Sequence, residues 1–232
     1  MSRPCFFTAD LRSKTIVLDE DTSKHIAGVL RMAKGDEILL TDGQGTKARA
    51  VITDDNRKRC SVELIQVETV PQVHPFVGIG ISLVKNNTRF EWFLEKATEI
   101  GVTDIIPLLC ARTEKEKFRF DRLQGILTSA LLQSQQAWLP RLHQPTPFEA
   151  VLDADYSHKF IAHLIEDIRT PLTTELKNDL SSRLILIGPE GDFTPVEIQL
   201  ATQKGFRPVA LGSTRLRTET ASLVAATLLR MV

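Results

Sequence analysis

Short apolar runs separated by turn residues fill the first seventy positions of the chain. The segments "CFF", "TIVL", "DEILLTDGQG", "ARAVIT" and "CSVELIQV" each have strand length. Ala48, Ala50 and Ile52, and again Val62, Leu64 and Val67, place apolar side chains on one face. "DGQG" is a glycine-rich turn between two such strands. One helical stretch, "TSKHIAGVLRM", interrupts them, with Ile26, Val29 and Leu30 on one side. These features predict a small β-rich domain over 1–70, folded as a partly closed barrel. The prolines of "VPQVHP" mark a linker at 71–75.

From 76 to 232 the pattern changes to longer alternating units. "FVGIGISLV" is a near-continuous apolar run, as in strands buried on both faces. Phe90, Phe93, Leu94 and Ala97 recur at helical spacing before Gly101, and "DIIPLL" is the next strand. Leu123, Ile126, Leu127, Ala130 and Leu131 form a helix face that stops before Pro140. "KFIAHLI" and "LILI" are strands separated by a helix in "PLTTELKNDL". Thr194 and Glu197 form a capping box with Pro195 at the first helical position, and that helix ends at Gly205. "PVAL" is a strand, and "TETASLVAATLLRMV" a last helix capped by Thr218. Strands alternating with helices predict an α/β fold with a parallel sheet covered on both faces.

Composition changes this picture little. The 29 basic and 29 acidic residues balance, so nucleic-acid binding would need a local stripe, such as "RKR" at 57–59 or the run from Arg112 through Lys115, Lys117 and Arg119 to Arg122. On charge alone both read as solvated surface. No apolar run reaches the roughly 20 residues of a membrane span, and "MSRPCFFTAD" lacks signal-peptide character, so a cytoplasmic protein is expected. Cys5, Cys60 and Cys110 are too far apart for a metal knuckle, and the five histidines show no ligand spacing, so no metal is expected. No serine lies in a nucleophile-elbow sequence. Trp92 and Trp138, in helical stretches, read as packing residues.

Ligands of parallel sheets sit beyond the carboxyl ends of the strands. Three loops leave strands there: "IED" after "AHLI", "GPEGDF" after "LILI", and "GSTRLRT" after "PVAL". Neither a P-loop nor a G-x-G-x-x-G fingerprint occurs, and "GIG" at 78–80 lies inside a strand. Glu190 and Asp192 disfavour a polyphosphate and favour a ligand with hydroxyls or positive charge, a description that S-adenosylmethionine fits. Either acid also suits the positive end of the following helix. Arg215 and Arg217 precede a helix N-terminus whose dipole disfavours cations, which points to an anionic partner such as a nucleic-acid backbone.

"LILIGPEGDFTPVEI" and "ALGSTRLRTETA" resemble the two C-terminal signatures of the bacterial 16S rRNA (uridine-N3) methyltransferases of the SPOUT superfamily. The likeness extends to "VLRMAKGDEILLTDGQG" and "LVKNNTRFEWFLEKATEIGVTDIIPL", so it covers nearly the whole chain in order. It implies a PUA-like RNA-binding barrel, a trefoil-knotted methyltransferase domain and a homodimer. It also implies S-adenosylmethionine as methyl donor and N3 of one uridine in 16S rRNA as acceptor. By analogy Leu164, Gly188, Pro189, Glu190, Gly191, Leu211, Gly212, Leu216, Arg217 and Thr218 surround the cofactor, with Gly188 leaving room for close approach. Arg31, Lys85, Asn86, Arg112 and Arg215 are the expected RNA contacts. Uracil N3 must lose a proton, so Glu219 is the candidate base and Arg217 or Arg112 the candidate stabilising cation. The run "LLQSQQAWLP" departs from the family pattern: Leu132 stands for an acid, Gln135 for a glycine and Gln136 for an arginine. Ala111 replaces a glutamate, and Asp192 stands where a second glycine is common. Two alternatives follow, a SPOUT enzyme acting on another RNA and a non-catalytic RNA-binding scaffold.

Overall fold

A computed structural model describes residues 3–114, 117–165 and 169–231. The chain divides into two compact units, Met1–Gln72 with Leu131–Leu139, and Val73–Ala130 with Pro140–Val232. The N-terminal unit therefore recruits nine residues, 131–139, that the sequence pattern assigns to the larger domain.

In the first unit, β1 (Cys5–Phe7), β2 (Thr15–Val17), β3 (Glu37–Thr41), β4 (Thr46–Asp54) and β5 (Ser61–Thr69) form one curled sheet in the order β1-β3-β4-β5-β2. Only the β1–β3 pair is parallel. Ala48, Ala50, Ile52 and Val62 point into a core with Phe6, Ile26, Ile38 and Leu40, as the alternation predicts. The odd spacing of Leu64 and Val67 is absorbed by a bulge: Leu64 pairs with Ala50 and Val67 with Ala48, leaving Ile65 unpaired. Both side chains thus stay on one face, although Val67 at the strand's outer end is half exposed.

The expected helix is different in kind. Asp19 caps a short α1 (Glu20–Lys24), which widens into a π turn over His25–Val29 before Arg31 takes a positive φ of 54°. The wider winding breaks the 3.6-residue period, so Ile26 is buried while Val29 and Leu30 face outward.

Trp138 lies beyond its helix and covers Gly45. Its Nε1 donates to the Val70 carbonyl at 2.9 Å. Gly45 has a φ of 96°, and a Cβ there would lie 2.7 Å from Trp138 Cε2. Gly45→Ala combines a disfavoured dihedral with displacement of a half-buried ring, and should lower stability by about 2–3 kcal/mol. Urea unfolding followed by tryptophan fluorescence measures this; an unchanged midpoint would show that the ring has room to move.

The second unit contains β6 (Val77–Ser82), α2 (Asn87–Ile100), β7 (Asp104–Leu109), α3 (Phe120–Ser134, whose last turn joins the first unit), β8 (Arg141–Leu142), β9 (Thr146–Pro147), α4 (Phe148–Val151), β10 (His158–Ala162), β11 (Thr170–Pro171), α5 (Leu172–Glu175), β12 (Arg183–Ile187), α6 (Pro195–Gln203), β13 (Arg207–Ala210) and α7 (Thr218–Met231). Its strands run β11-β13-β10-β12-β6-β7-β8, with β9 also on β7, and every described pair is parallel. All positions of β6 and β12 are buried, as their unbroken apolar runs require.

The predicted helix "PLTTELKNDL" shortens to α5, and Leu180 is exposed. The cause is Arg183, the fully buried first residue of β12. Its guanidinium donates to the carbonyls of Lys177 at 2.6 Å, Asp179 at 2.9 Å and Leu229 at 2.8 Å. Two of those carbonyls belong to the stretch that would otherwise have continued the helix. Trp92, on α2, is 42% exposed, so it is not a packing residue within this unit.

Candidate cofactor and RNA site

The order β13-β10-β12 puts three strand ends side by side, so the loops after Ala162, Ile187 and Ala210 meet at one edge. Glu166 and Asp167 of the first loop lie outside the described residues. The second loop, Gly188–Phe193, leads into the capping box as predicted. Thr194 Oγ1 accepts from the Glu197 amide at 3.2 Å, and Glu197 Oε2 accepts from the Thr194 amide at 2.7 Å. The nearly buried Glu197 does more than cap. Its other oxygen, Oε1, accepts from the Ala111 amide at 2.8 Å and so fixes the backbone that carries Arg112. Arg112 in turn donates to the Gly191 carbonyl at 2.6 Å.

The acids in this loop are committed to backbone groups. Asp192, at a positive φ of 63°, accepts from its neighbour's amide at Phe193 (2.8 Å) and from Leu164 across the edge (2.9 Å). Glu190 Oε1 accepts from the Lys85 amide at 3.2 Å. These bonds tie the Gly188–Phe193 loop to the backbone at Leu164 and Lys85. At Gly188 a Cβ would come within 3.1 Å of the Phe193 ring and amide, so the glycine serves the packing of its own loop. Thr218 is the first residue of α7 rather than its cap, and its hydroxyl donates to the Gly188 carbonyl at 3.0 Å.

Between the loops lies a cleft of about 620 Å³, within the range of small-molecule sites. Leu164, Gly188, Pro189, Glu190, Leu211, Gly212, Arg215, Leu216, Arg217 and Thr218 line it. Gly212 has a φ of 153° with nothing within 4 Å of where its Cβ would be, so bare backbone faces the opening. Gly191 is not in the wall; it backs onto Arg112. Glu219 is also outside the wall, nearly buried, with Oε1 3.6 Å from Arg89 Nε. Lys85 and Asn86 lie beyond the cleft: Lys85 Nζ pairs with Glu114 at 2.7 Å, and Asn86 caps α2 by accepting from Thr88. Arg31 belongs to the other unit.

Sequence reasoning missed Arg89, His163 and Arg169, all in the wall. Two of them carried a signal. Arg89 is a cation in the first turn of a helix, the same anomaly that marked Arg215 and Arg217. His163 directly follows a parallel strand. Among the described residues no helix is long and apolar enough to cross a membrane, and no cluster of three metal-ligating side chains exists.

A parallel sheet whose three adjacent strand ends hold an arginine-lined, phosphate-loop-free cleft, preceded by a curled five-stranded sheet, defines a class. The chain belongs to the RNA methyltransferase family: the model of the RNA methyltransferase domain matches residues 72–230, and that of the RNA methyltransferase PUA domain matches residues 18–65. The ribosomal RNA small subunit methyltransferase E of Synechocystis sp. is 34% identical to it, over 91% of this chain and 71% of that protein. A probable rRNA-methyltransferase from Porphyromonas gingivalis is similar in structure, with a TM-score of 0.91, 37% identity and 98% of each chain covered. The ribosomal RNA small subunit methyltransferase E of Neisseria gonorrhoeae, bound to S-adenosyl methionine, has a TM-score of 0.86 at 28% identity, covering 97% of this chain and 95% of that one.

Proposed function

We propose that this protein is an S-adenosylmethionine-dependent methyltransferase that methylates N3 of a uridine in small-subunit (16S) rRNA. The observation that carries the reading is the cleft at the ends of β10, β12 and β13. It has the volume for a nucleoside cofactor, bare backbone at Gly212 and a buried polar side chain, His163, in its wall with no partner in hydrogen-bond geometry among the described residues. Leu164, Gly188, Pro189, Glu190, Leu211, Gly212, Leu216 and Thr218 hold the cofactor, and Gly191 takes part through Arg112. Bound there, S-adenosylmethionine supplies a methyl group on a positive sulfur.

The chain supplies orientation and charge. The Arg217 guanidinium, exposed at the start of α7, has no ion-pair partner among the described residues and is free to stabilise negative charge on uracil as N3 loses its proton. Glu219, held by Arg89, is the base in this reading. Arg31, Lys85, Asn86, Arg112 and Arg215 contact the RNA, and an unpaired or extruded uridine brings N3 within reach. The protein works in the cytoplasm as a homodimer, with a knotted large unit. Exposed apolar side chains such as Trp92 and Val196 support self-association. Sedimentation velocity distinguishes dimer from monomer.

Transfer of labelled methyl groups to unmodified small subunits, followed by nucleoside mass spectrometry, tests the reaction. 3-Methyluridine is the expected product. Another methylated nucleoside would favour a different RNA target, and no transfer despite cofactor binding would favour a non-catalytic scaffold. Arg217→Ala should lower kcat by about 100-fold, the scale of losing one stabilising donor, with the melting temperature unchanged. Parallel loss of both would make the arginine structural.

A further inference from the structure

His163 is the first residue after β10 and is only 8% exposed, yet it lines the cleft. Among the described residues neither ring nitrogen has a protein partner in full hydrogen-bond geometry. The Ile165 backbone is near enough to favour the charged ring as a weak hydrogen-bond acceptor, and the Asp192 carboxylate favours it by charge. Buried polar groups are nearly always paired, so an imidazole left open on the wall of a cleft is a site awaiting a ligand atom.

The chemistry of that atom can be narrowed. Burial depresses the ring's pKa below the usual histidine value, and Arg169 adds to this while Asp192 and the Ile165 backbone oppose it. Around neutral pH the ring is therefore uncharged, with one N–H donor and one lone-pair acceptor. Arg89, Arg169, Arg215, Arg217, Glu190 and Asp192 face the same space and provide its formal charges. A neutral imidazole among them complements an uncharged hydroxyl or amine better than a carboxylate or an ammonium. Its place is also fixed: Asp192 holds the adjacent Leu164 amide at 2.9 Å, and Arg169 donates to the carbonyl of His163 itself at 2.8 Å.

We propose that His163 is a cofactor-binding residue, its ring hydrogen-bonding an uncharged hydroxyl or amine on the nucleoside part of bound S-adenosylmethionine. The inference rests on the proposed function, and the test separates the two. Calorimetry with S-adenosylmethionine on the full chain comes first: no binding to the wild type would overturn the cofactor reading itself. Given wild-type binding, His163→Phe should weaken affinity by about tenfold or more, as expected for a lost hydrogen bond. His163→Gln, which keeps a donor and an acceptor, should recover most of it. Equal affinity in all three would overturn the role of His163.

Should His163→Phe fail to fold, the wild type together with His163→Gln still decides. Nitrogen-15 NMR of the histidine rings should show one imidazole, assigned to His163 through the glutamine variant, changing its nitrogen shifts when cofactor is added. Unchanged ring nitrogens at saturation would overturn the proposal. Binding of adenosine alone should produce the same shift change; a change seen only with the intact amino-acid tail would move the contact off the nucleoside and overturn that assignment.

Discussion

Arg183→Met should cost about 3–5 kcal/mol of folding free energy, the range for removing one partner from a buried charged network. The side chain is fully buried and serves carbonyls from two parts of the chain, Lys177 and Asp179 before β12 and Leu229 near the end of α7. Methionine fills much of the volume but donates nothing, so three carbonyls lose a charged donor. Each such bond contributes about 1.5–3 kcal/mol; burying the cation opposes part of that sum. Urea unfolding should show a lower midpoint with the same slope. A loss under 1 kcal/mol would mean that water or relaxed backbone replaces the arginine. Lysine should rescue poorly, because a point charge cannot reach acceptors on both sides as a planar fork does.

Gly212→Val should reduce S-adenosylmethionine affinity by about 100-fold or more, for two reasons that act together. The open space over its Cα lies in the cleft wall, so a branched side chain projects where the ligand would lie. Its φ of 153° also lies on the side of dihedral space that L residues avoid, at a cost of about 1–3 kcal/mol if the loop keeps its path. Calorimetry reads the first effect and thermal melting the second. Unimpaired binding with normal stability would place the cofactor elsewhere. Gly188, by contrast, is constrained by Phe193, and its replacement should disturb the loop before it disturbs the ligand.

Most of the architecture was legible in the sequence because the two units obey different periods. The capping box at Thr194, the buried run of β6 and the one-sided strand faces came through without change. Two of the failures come from a tertiary partner overriding local pattern, and one from a local change of winding. Arg183 claimed the carbonyls of a predicted helix, the π turn rotated Val29 and Leu30 outward, and 131–139 packed with a unit distant in sequence. The site was legible as three loops but not as a set of side chains. Direction is what periodicity omits, so the sequence could not show that Glu219 and Gly191 lie outside the cleft wall while His163 lies in it.

The departures from the family's glycine positions have a geometric reading. Gln135 and Asp192 both stand at positive φ, 53° and 63°, where glycine would be unstrained. Asp192 offsets its strain through two accepted hydrogen bonds, one of them to Leu164. Both residues thus hold a backbone conformation that glycine would adopt without strain.

The balance of charge around the cleft bears on turnover. Four arginines face two carboxylates, and both acids are already committed to backbone amides. Such a net-positive wall gives a sulfonium no electrostatic advantage over the uncharged thioether left after methyl transfer. Spent cofactor should therefore be held about as firmly as fresh, making S-adenosylhomocysteine a competitive inhibitor and its departure a natural brake on the catalytic cycle.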